Sequence, residues 1–259
     1  PQMGFKLLGN KLRLSKIGDI KIKLHRPKEG KIKRLTVRRS VTGKWFACFS
    51  VEIEDRPKPP WKDGALVGID VGLKSFATLS NGEKIANPRF FLEEEKELAR
   101  VQRKHSKVPK GTPQRKKTLK IVGRVHERIA NKRYEFAHQV SNNLVKRFGL
   151  IAFEDLNIEG MLHNHCLAKS ISDVAWNMLV TLTSYKAESA GSMVVLVDPR
   201  NTSKMCSRCG LLVEKALSNR VHNCPQCGLS MDRDQNAAIN ILRLGLQSVG
   251  ITTVEAPVF

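Results

Sequence analysis

Hydrophobic and polar residues alternate with a period of two through residues 1–58. The alternation is clear in Lys21–Leu24 and Trp45–Ile53, and the pair Thr42-Gly43 stands between two such runs. A period of two places every second side chain on one face of a β-strand, and a short run containing Gly favours a turn. These residues therefore predict a β-rich segment whose outward positions are basic. Three prolines within Arg56–Trp61 then predict a linker, because proline cannot continue a sheet ladder.

From residue 62 the pattern predicts a mixed domain of the α+β or α/β class. Ala65–Asp70 is mostly apolar, which suits a strand buried on both faces of a sheet. Residues 93–148 have a helical pattern with a break at Val108–Pro113, and Gly149 is predicted to end the second helix. The other predicted elements are strands at Phe76–Leu79, Lys84–Ala86, Leu150–Phe153 and Met193–Val197, a turn at Asn81-Gly82, and helices at about Asp173–Ala190 and from Asp234 to about Leu244.

Two Cys-x-x-Cys pairs near the end of the chain predict a metal site. The pairs are Cys206/Cys209 and Cys224/Cys227, and a glycine follows each pair. Four thiolates from two tight turns supply the tetrahedral ligands that Zn²⁺ prefers, and the glycines let the backbone fold over the ion. Disulfides or a redox pair are the alternative, but a basic chain without a hydrophobic signal segment favours reduced, intracellular thiols. We expect no ligand role for Cys48, Cys166 or His222, and we interpret His222 as a loop residue.

The charge of the chain narrows the choice of partner. The sequence has 45 Lys and Arg against 24 Asp and Glu, a net charge of +21, which is typical of proteins that bind nucleic acid. Between Arg100 and Arg133 there are 13 basic residues and one acidic residue, Glu127. This stretch has too few bulky apolar residues for a membrane-surface helix, and no apolar run is long enough to span a bilayer. A solvated charged hairpin is the alternative to a phosphate-binding one. The predicted nucleic-acid contacts are Arg115, Lys116, Lys117, Lys120, Arg124 and Arg128.

Three acidic residues stand at the ends of predicted elements. Asp70 ends the first strand of the mixed domain, Glu154 ends its fourth strand, and Asp234 opens the last helix. If the first and fourth strands are neighbours, these carboxylates meet at one edge of the sheet, where Mg²⁺ or Mn²⁺ would balance their charge. Two such ions roughly 3.5–4 Å apart would support phosphodiester hydrolysis. Each acid taken singly also fits a helix cap, a turn or an exposed strand end.

Four motifs in order along the chain resemble the TnpB (OrfB) proteins of bacterial and archaeal insertion sequences. The motifs are Gly68–Leu73, Phe153–Asn157, Thr202–Gly210 and Asp232–Asn240, and the resemblance covers about residues 60–245. It implies an RNA-guided DNA endonuclease, similar to the type V CRISPR effectors, with a split RuvC domain of RNase H-like fold. It also implies guide RNA and target DNA as partners and a cytoplasmic, nucleoid-associated location. By the same resemblance Asp70, Glu154 and Asp234 are catalytic metal ligands, and the four cysteines form a zinc ribbon.

The resemblance also predicts how the chain is divided. It implies a wedge-like β-rich segment at 1–58, RuvC-like parts at 62–92, 149–200 and 231–245, a basic helical insertion at 93–148, a zinc ribbon at 201–230 and a tail at 246–259. The basic helices are expected to lie against the duplex of guide and target. TnpB proteins ordinarily carry more N-terminal sequence, so we expect the chain to begin within the wedge.

Two other functions fit part of the sequence. A non-cleaving guided binder descended from this family is expected to lack at least one of the three acids, and all three are present. A conventional strand-transfer transposase also uses an RNase H-like acid cluster, but its acids usually follow the order Asp, Asp, Glu. The order here is Asp, Glu, Asp, which favours the guided endonuclease.

Overall fold

The computed structural model describes residues 4–25, 29–53, 65–157, 176–216 and 218–251. The chain divides into two compact units, the first within residues 1–57 and 100–127 and the second within residues 58–99 and 128–259. The predicted linker at Arg56–Trp61 and Cys166 lie outside the described residues. None of the helices in the described ranges is long and apolar enough to cross a lipid bilayer.

The first unit contains two small antiparallel sheets. Strands β1 (Phe5–Leu8), β2 (Lys11–Leu14) and β3 (Gly18–Lys21) form one, and β4 (Lys31–Arg39) pairs with β5 (Trp45–Glu52) in the other. The predicted turn at Thr42-Gly43 is confirmed, because it joins β4 to β5 and Gly43 has a φ of 92°. The alternation at Lys21–Leu24 continues past the strand, because β3 ends at Lys21, which pairs with Lys11, the first residue of β2.

Two helices, α1 (Phe90–Ser106) and α2 (Pro113–Arg147), form the predicted basic hairpin. The predicted break falls between them. Gly149 does not end α2, contrary to the prediction. It lies inside a strand, because the buried Phe148 already pairs with Ala65 and the chain passes from helix to strand without a left-handed residue.

The second unit is built on a five-stranded mixed sheet. Its strands are β6 (Ala65–Val71), β7 (Ser75–Leu79), β8 (Lys84–Ala86), β9 (Phe148–Glu154) and β10 (Met193–Val197), in the spatial order β10-β9-β6-β7-β8. The neighbours β10, β9 and β6 are parallel, whereas β7 and β8 return antiparallel. The adjacency of β6 and β9 that the sequence analysis required is therefore present.

Helices cover both faces of this sheet. Odd-numbered residues of β6 and β9 share an apolar cluster with residues of α2 and with α3 (Trp176–Ala190), whereas the even-numbered Leu150 and Ala152 of β9 pack against α4 (Arg233–Ser248). Successive side chains of a strand point to opposite faces, so the even-numbered Asp70 and Glu154 belong to the face that α4 covers. The strand residues of the first cluster include Val67, Ile69, Ile151 and Phe153, and those of the second include Leu150 and Ala152.

Two glycines allow α4 to lie close to the sheet. A Cβ on Gly68 would lie 2.1 Å from the carbonyl oxygen of Ala238, and a Cβ on Gly245 would lie 2.7 Å from the Cβ of Ala152. Helix α4 was predicted to end at about Leu244, but it continues to Ser248, because Gly245 packs on the sheet and Leu246 is buried. Part of the predicted tail at 246–259 is therefore helix.

Candidate active site and metal centre

Three elements bring the predicted acids to one place. Asp70 lies near the end of β6, Glu154 is the last residue of β9, and Asp234 lies in the first turn of α4. Burial raises the pKa of Asp70 well above its usual value, and the negative charges of Glu154 and Asp234 raise it further. Arg233 acts in the opposite direction on the same carboxyl. The three acids therefore share one electrostatic site on the α4 face of the sheet.

Glu154 is held by a hydrogen bond from the segment that follows β10. Burial raises the pKa of Glu154, and the hydroxyl of Thr202 opposes that shift by donating to Oε1 at 2.5 Å. Its neighbour Asp155 is exposed, and the Asp155 amide donates to the carbonyl oxygen of Val197 on β10. The two adjacent acids thus have different surroundings.

The start of α4 is capped by Asp232. One carboxylate oxygen of Asp232 accepts hydrogen bonds from the amides of Asp234 and Gln235 at 3.0 and 3.2 Å, and the other lies 2.6 Å from Nζ of Lys84 on β8. Desolvation raises the pKa of Asp232, but the bond from Lys84 and the two amides outweigh it and keep the pKa below its usual value. Asp234 itself is the second residue of the helix, so its carboxylate is not used as the cap.

Glu154 and Asp234 are near enough to Asp70 to raise its pKa, but the three acids are not gathered into a ligand set. Among the described residues, the four cysteines are the one group of three or more His, Cys, Asp or Glu side chains gathered closely enough to hold an ion. Oxygen donors of this kind fit a hard divalent cation such as Mg²⁺ or Mn²⁺. The raised pKa values of Asp70 and Glu154 reflect mainly the cost of burying charged carboxylates.

The four predicted cysteine ligands do meet. Their sulfur atoms all lie within 4.8 Å of one another, with Cys206 and Cys227 3.6 Å apart and Cys209 and Cys224 3.5 Å apart. A tetrahedral ion with metal–sulfur bonds of about 2.3 Å places its sulfurs roughly 3.8 Å apart, so the cluster fits such an ion.

The two Cys-x-x-Cys turns have the same backbone geometry. The amide of Gly210 donates to Cys206 O at 2.9 Å, the amide of Gly228 donates to Cys224 O at 3.0 Å, and both glycines have a positive φ. Backbone amides of Cys227 and Gln226 lower the pKa of Cys224, to about 6 in the cluster. The Leu211 amide likewise favours the Cys209 thiolate, but desolvation and the neighbouring sulfurs raise that pKa to about 12, because four thiolates cannot all be charged without a metal ion.

The prediction that His222 lies in a loop is wrong. It lies on β11 (Val221–Asn223), which pairs with β12 (Ser230–Asp232), and it is fully buried. Burial lowers its pKa, and the charge of Lys215, which contacts Nδ1, lowers it further.

Polar residues of α4 bond this helix to the cysteine-bearing segment. Asn236 donates to Met205 O at 2.8 Å and accepts from the Ser207 amide at 2.9 Å. Asn240 donates to Thr202 O and Met205 O at 2.8 and 2.7 Å, and Arg243 donates to Ser207 O. Both asparagines are fully buried. These residues were not predicted from the sequence, although two asparagines four positions apart on an apolar helix face are a usable signal.

The six predicted nucleic-acid contacts separate into two groups. Arg115 donates to the carbonyl oxygens of His105 and Val108, which closes the loop between α1 and α2, and Arg128 forms an ion pair with Glu94 at 3.0 Å. The other four are exposed and lie along the first turns of α2. We call them the basic stripe: Lys116, Lys117, Lys120 and Arg124.

Family models match two parts of the chain. The model OrfB_IS605, described as "Probable transposase", matches residues 48–165, and the model described as "Cas12f1-like, TNB domain" matches residues 176–241. The first range contains Asp70 and Glu154, and the second contains Asp234 and the four cysteines.

Curated relatives extend the match. A Streptomyces pristinaespiralis protein is 41% identical over 82% of this chain and 52% of its own length, and an Escherichia coli K12 protein is 31% identical over 91% and 62%. Both are named "Putative RNA-guided DNA endonuclease", the second with the suffix InsQ. The chain belongs to the TnpB (OrfB) family. It spans about half to three fifths of the length of these two TnpB-family relatives.

A solved structure shares the fold of this TnpB-family chain. The cryo-EM structure of the Cas12f1–sgRNA–target DNA complex contains a chain that matches with a TM-score of 0.51 and 20% identity, over 80% of this chain and 55% of that one. This similarity supports the mixed sheet flanked by helices that the sequence predicted.

Proposed function

We propose that this chain carries the nuclease part of an RNA-guided, divalent-metal-dependent DNA endonuclease of an insertion sequence. The observation that carries the proposal is the raised pKa of Asp70, whose causes include the charges of Glu154 and Asp234. Three acids from three separate elements interact electrostatically in a protein with a net charge of +21. Such a concentration of negative charge is costly to folding and is typical of a catalytic cation site.

In this proposal Asp70, Glu154 and Asp234 hold one or two Mg²⁺ or Mn²⁺ ions. The ions, when bound, lower the pKa of a water nucleophile and stabilise the departing 3′ oxygen. The protein's own contribution is to orient the three carboxylates: the sheet places Asp70 and Glu154 side by side, and the Asp232 cap fixes the first turn of α4. Both carboxyl groups with raised pKa values must lose their protons before they can serve as ligands.

The four cysteines are proposed to hold a structural Zn²⁺. The cysteine-bearing segment contacts α4 through Asn236 and Asn240, so a folded ribbon supports the helix that presents Asp234. Zinc would therefore stabilise the ribbon that holds α4 in place. It would not bind substrate, since the four sulfurs already complete its tetrahedral shell.

Guide RNA and target DNA are the proposed partners. The names of the relatives and the exposed basic stripe support this choice. Four neighbouring cations without base-reading side chains suit contacts to phosphate rather than to base edges. Sequence would then be read by pairing between guide and target.

The test is cleavage by the protein purified with the RNA that accompanies it in a host carrying the insertion sequence. Cleavage of a matched DNA should require Mg²⁺ or Mn²⁺ and should be abolished by Asp70→Asn, Glu154→Gln or Asp234→Asn. Asp155→Asn is the control, because Asp155 is exposed and adjacent to Glu154. Full activity in any of the three site variants would remove that residue from the site, and metal-independent cleavage would refute the proposed chemistry.

A further inference from the structure

We propose that Thr202 is a positioning residue that orients the Glu154 carboxylate, and that α4 holds Thr202 in place. This inference rests on the proposed function, because it concerns how Glu154 is presented to a divalent cation. The segment between β10 and the cysteines would then orient the Glu154 carboxylate. None of the proposed acid or cysteine ligands has this role.

The Thr202 side chain is buried beside the acid site. It is 2% exposed, and its hydroxyl oxygen lies 2.5 Å from Glu154 Oε1 and 3.1 Å from the carbonyl oxygen of Pro199. An ionised carboxylate can only accept hydrogen bonds, so a charged Glu154 takes the hydroxyl proton. That bond engages Oε1 and leaves Oε2 as the oxygen available to a cation.

The backbone of Thr202 is held by a hydrogen bond from α4. Its carbonyl oxygen accepts from Asn240 Nδ2 at 2.8 Å, and the same amide donates to Met205 O at 2.7 Å. Asn236, one turn earlier on α4, also donates to Met205 O. Helix α4 therefore determines where the Thr202 hydroxyl lies, and α4 also carries Asp234.

These hydrogen bonds link the position of Glu154 to that of Asp234. Glu154 is bonded to Thr202, Thr202 is bonded to Asn240, and Asn240 lies on the same helix as Asp234. Metal ligands are commonly oriented by such partners, whose loss costs about 10–100-fold in metal affinity. A buried threonine that merely satisfies its own hydroxyl would show no such effect.

Four variants separate these possibilities. Thr202→Val removes the hydroxyl at nearly constant shape, whereas Thr202→Ser retains it. Thr183→Val is the matched control, because Thr183 is also buried and its hydroxyl donates to the Leu179 carbonyl oxygen of its own helix. Glu154→Gln defines the signal that belongs to the carboxylate.

The first readout does not need activity or a divalent ion. In zinc-loaded protein with ¹³C-labelled glutamate, the carboxyl resonance of Glu154 is identified by its loss in Glu154→Gln. Thr202→Val should move that resonance, whereas Thr202→Ser and Thr183→Val should leave it in place. An unmoved resonance in Thr202→Val would overturn the inference.

The second readout is Mn²⁺ affinity, measured from the electron paramagnetic resonance of free Mn²⁺. Thr202→Val should weaken binding by about 10–100-fold, and Thr202→Ser should restore it. Wild-type affinity in Thr202→Val, together with lost affinity in Glu154→Gln, would refute the role of Thr202 and leave the proposed function intact. Wild-type affinity in Glu154→Gln would refute the proposed function instead, and the carboxyl resonance would still decide whether Thr202 holds Glu154.

Discussion

Gly68→Ala is expected to push α4 away from β6 and to separate Asp234 from Asp70. A Cβ at position 68 would lie 2.1 Å from the oxygen of Ala238, 2.5 Å from the nitrogen of Leu242 and 2.9 Å from the Cβ of Leu242. The two nearest of these atoms are backbone of α4, so no change of rotamer can relieve the overlap. Restoring an ordinary contact distance requires a shift of roughly 1 Å.

The magnitude follows from that shift. Overpacking of a close-packed interior costs about 1–3 kcal/mol, and the upper end applies because the obstacle is backbone. Alanine also restricts the unfolded chain, which returns less than about 1 kcal/mol. We therefore expect a net loss of about 2 kcal/mol in stability, and a misplacement of this size at a catalytic site costs on the order of 100-fold in rate.

Denaturant unfolding monitored by tryptophan fluorescence measures the predicted loss in the free energy of unfolding. Trp176 is 4% exposed in the core of the second unit, whereas Trp45 is 66% exposed and belongs to the first. Gly123→Ala on α2 is the control, since its Cβ would meet nothing closer than 3.4 Å, and it should stabilise the protein slightly. Stability of Gly68→Ala within about 0.5 kcal/mol of wild type would refute the close-approach argument.

Three further predictions concern the metal sites and the basic stripe. Purified protein should contain one zinc per chain, and Cys224→Ser should lose it with a local folding cost of up to about 10 kcal/mol, whereas Cys48→Ser should keep it; metal analysis decides. Replacing the four residues of the basic stripe with alanine should reduce the slope of log affinity against log salt by roughly 3–4 for any nucleic-acid sequence, and an unchanged slope would place the binding surface elsewhere. Because the pKa of Asp70 is raised, protonated Asp70 favours the native state at low pH, and this contribution is lost as pH rises through the native pKa. In buffer without Mg²⁺ or Mn²⁺, Asp70→Asn should therefore match wild type in acid and exceed its stability by about 1 kcal/mol or more at neutral pH, and thermal unfolding that shows the reverse trend would contradict the acid cluster.

Local sequence patterns predicted those parts of the site that depend on residue spacing along the chain. The Cys-x-x-Cys pairs meet as expected because each tight turn aligns its own two sulfurs. Asp70 and Glu154 lie on neighbouring strands because each stands at or near the end of an apolar strand of the sheet. Their roles as ligands stay predictions, as do those of Asp234 and the zinc cysteines.

Several features of the fold and the site depend on tertiary contacts, and local sequence patterns did not predict them. Glycine after an amphipathic segment usually marks a helix end, yet Gly149 is buried within β9 and Gly245 lies within α4, where it packs against Ala152 of the sheet. Charge counting likewise could not show that Arg115 bonds to loop carbonyls while its neighbour Lys116 remains exposed. The role of Asn240 was not predicted because the sequence does not show which carbonyl groups its buried amide contacts.

The most direct measurement is an anomalous difference map from crystals of the protein soaked in Mn²⁺. The map should show density for one or two ions between the carboxylates of Asp70, Glu154 and Asp234, separate from the zinc bound by the four cysteines. Asp70→Asn crystals treated in the same way should lose this density and retain the zinc. Manganese bound elsewhere, in a protein whose cleavage requires Mn²⁺, would contradict the assignment of these three acids as the catalytic ligands.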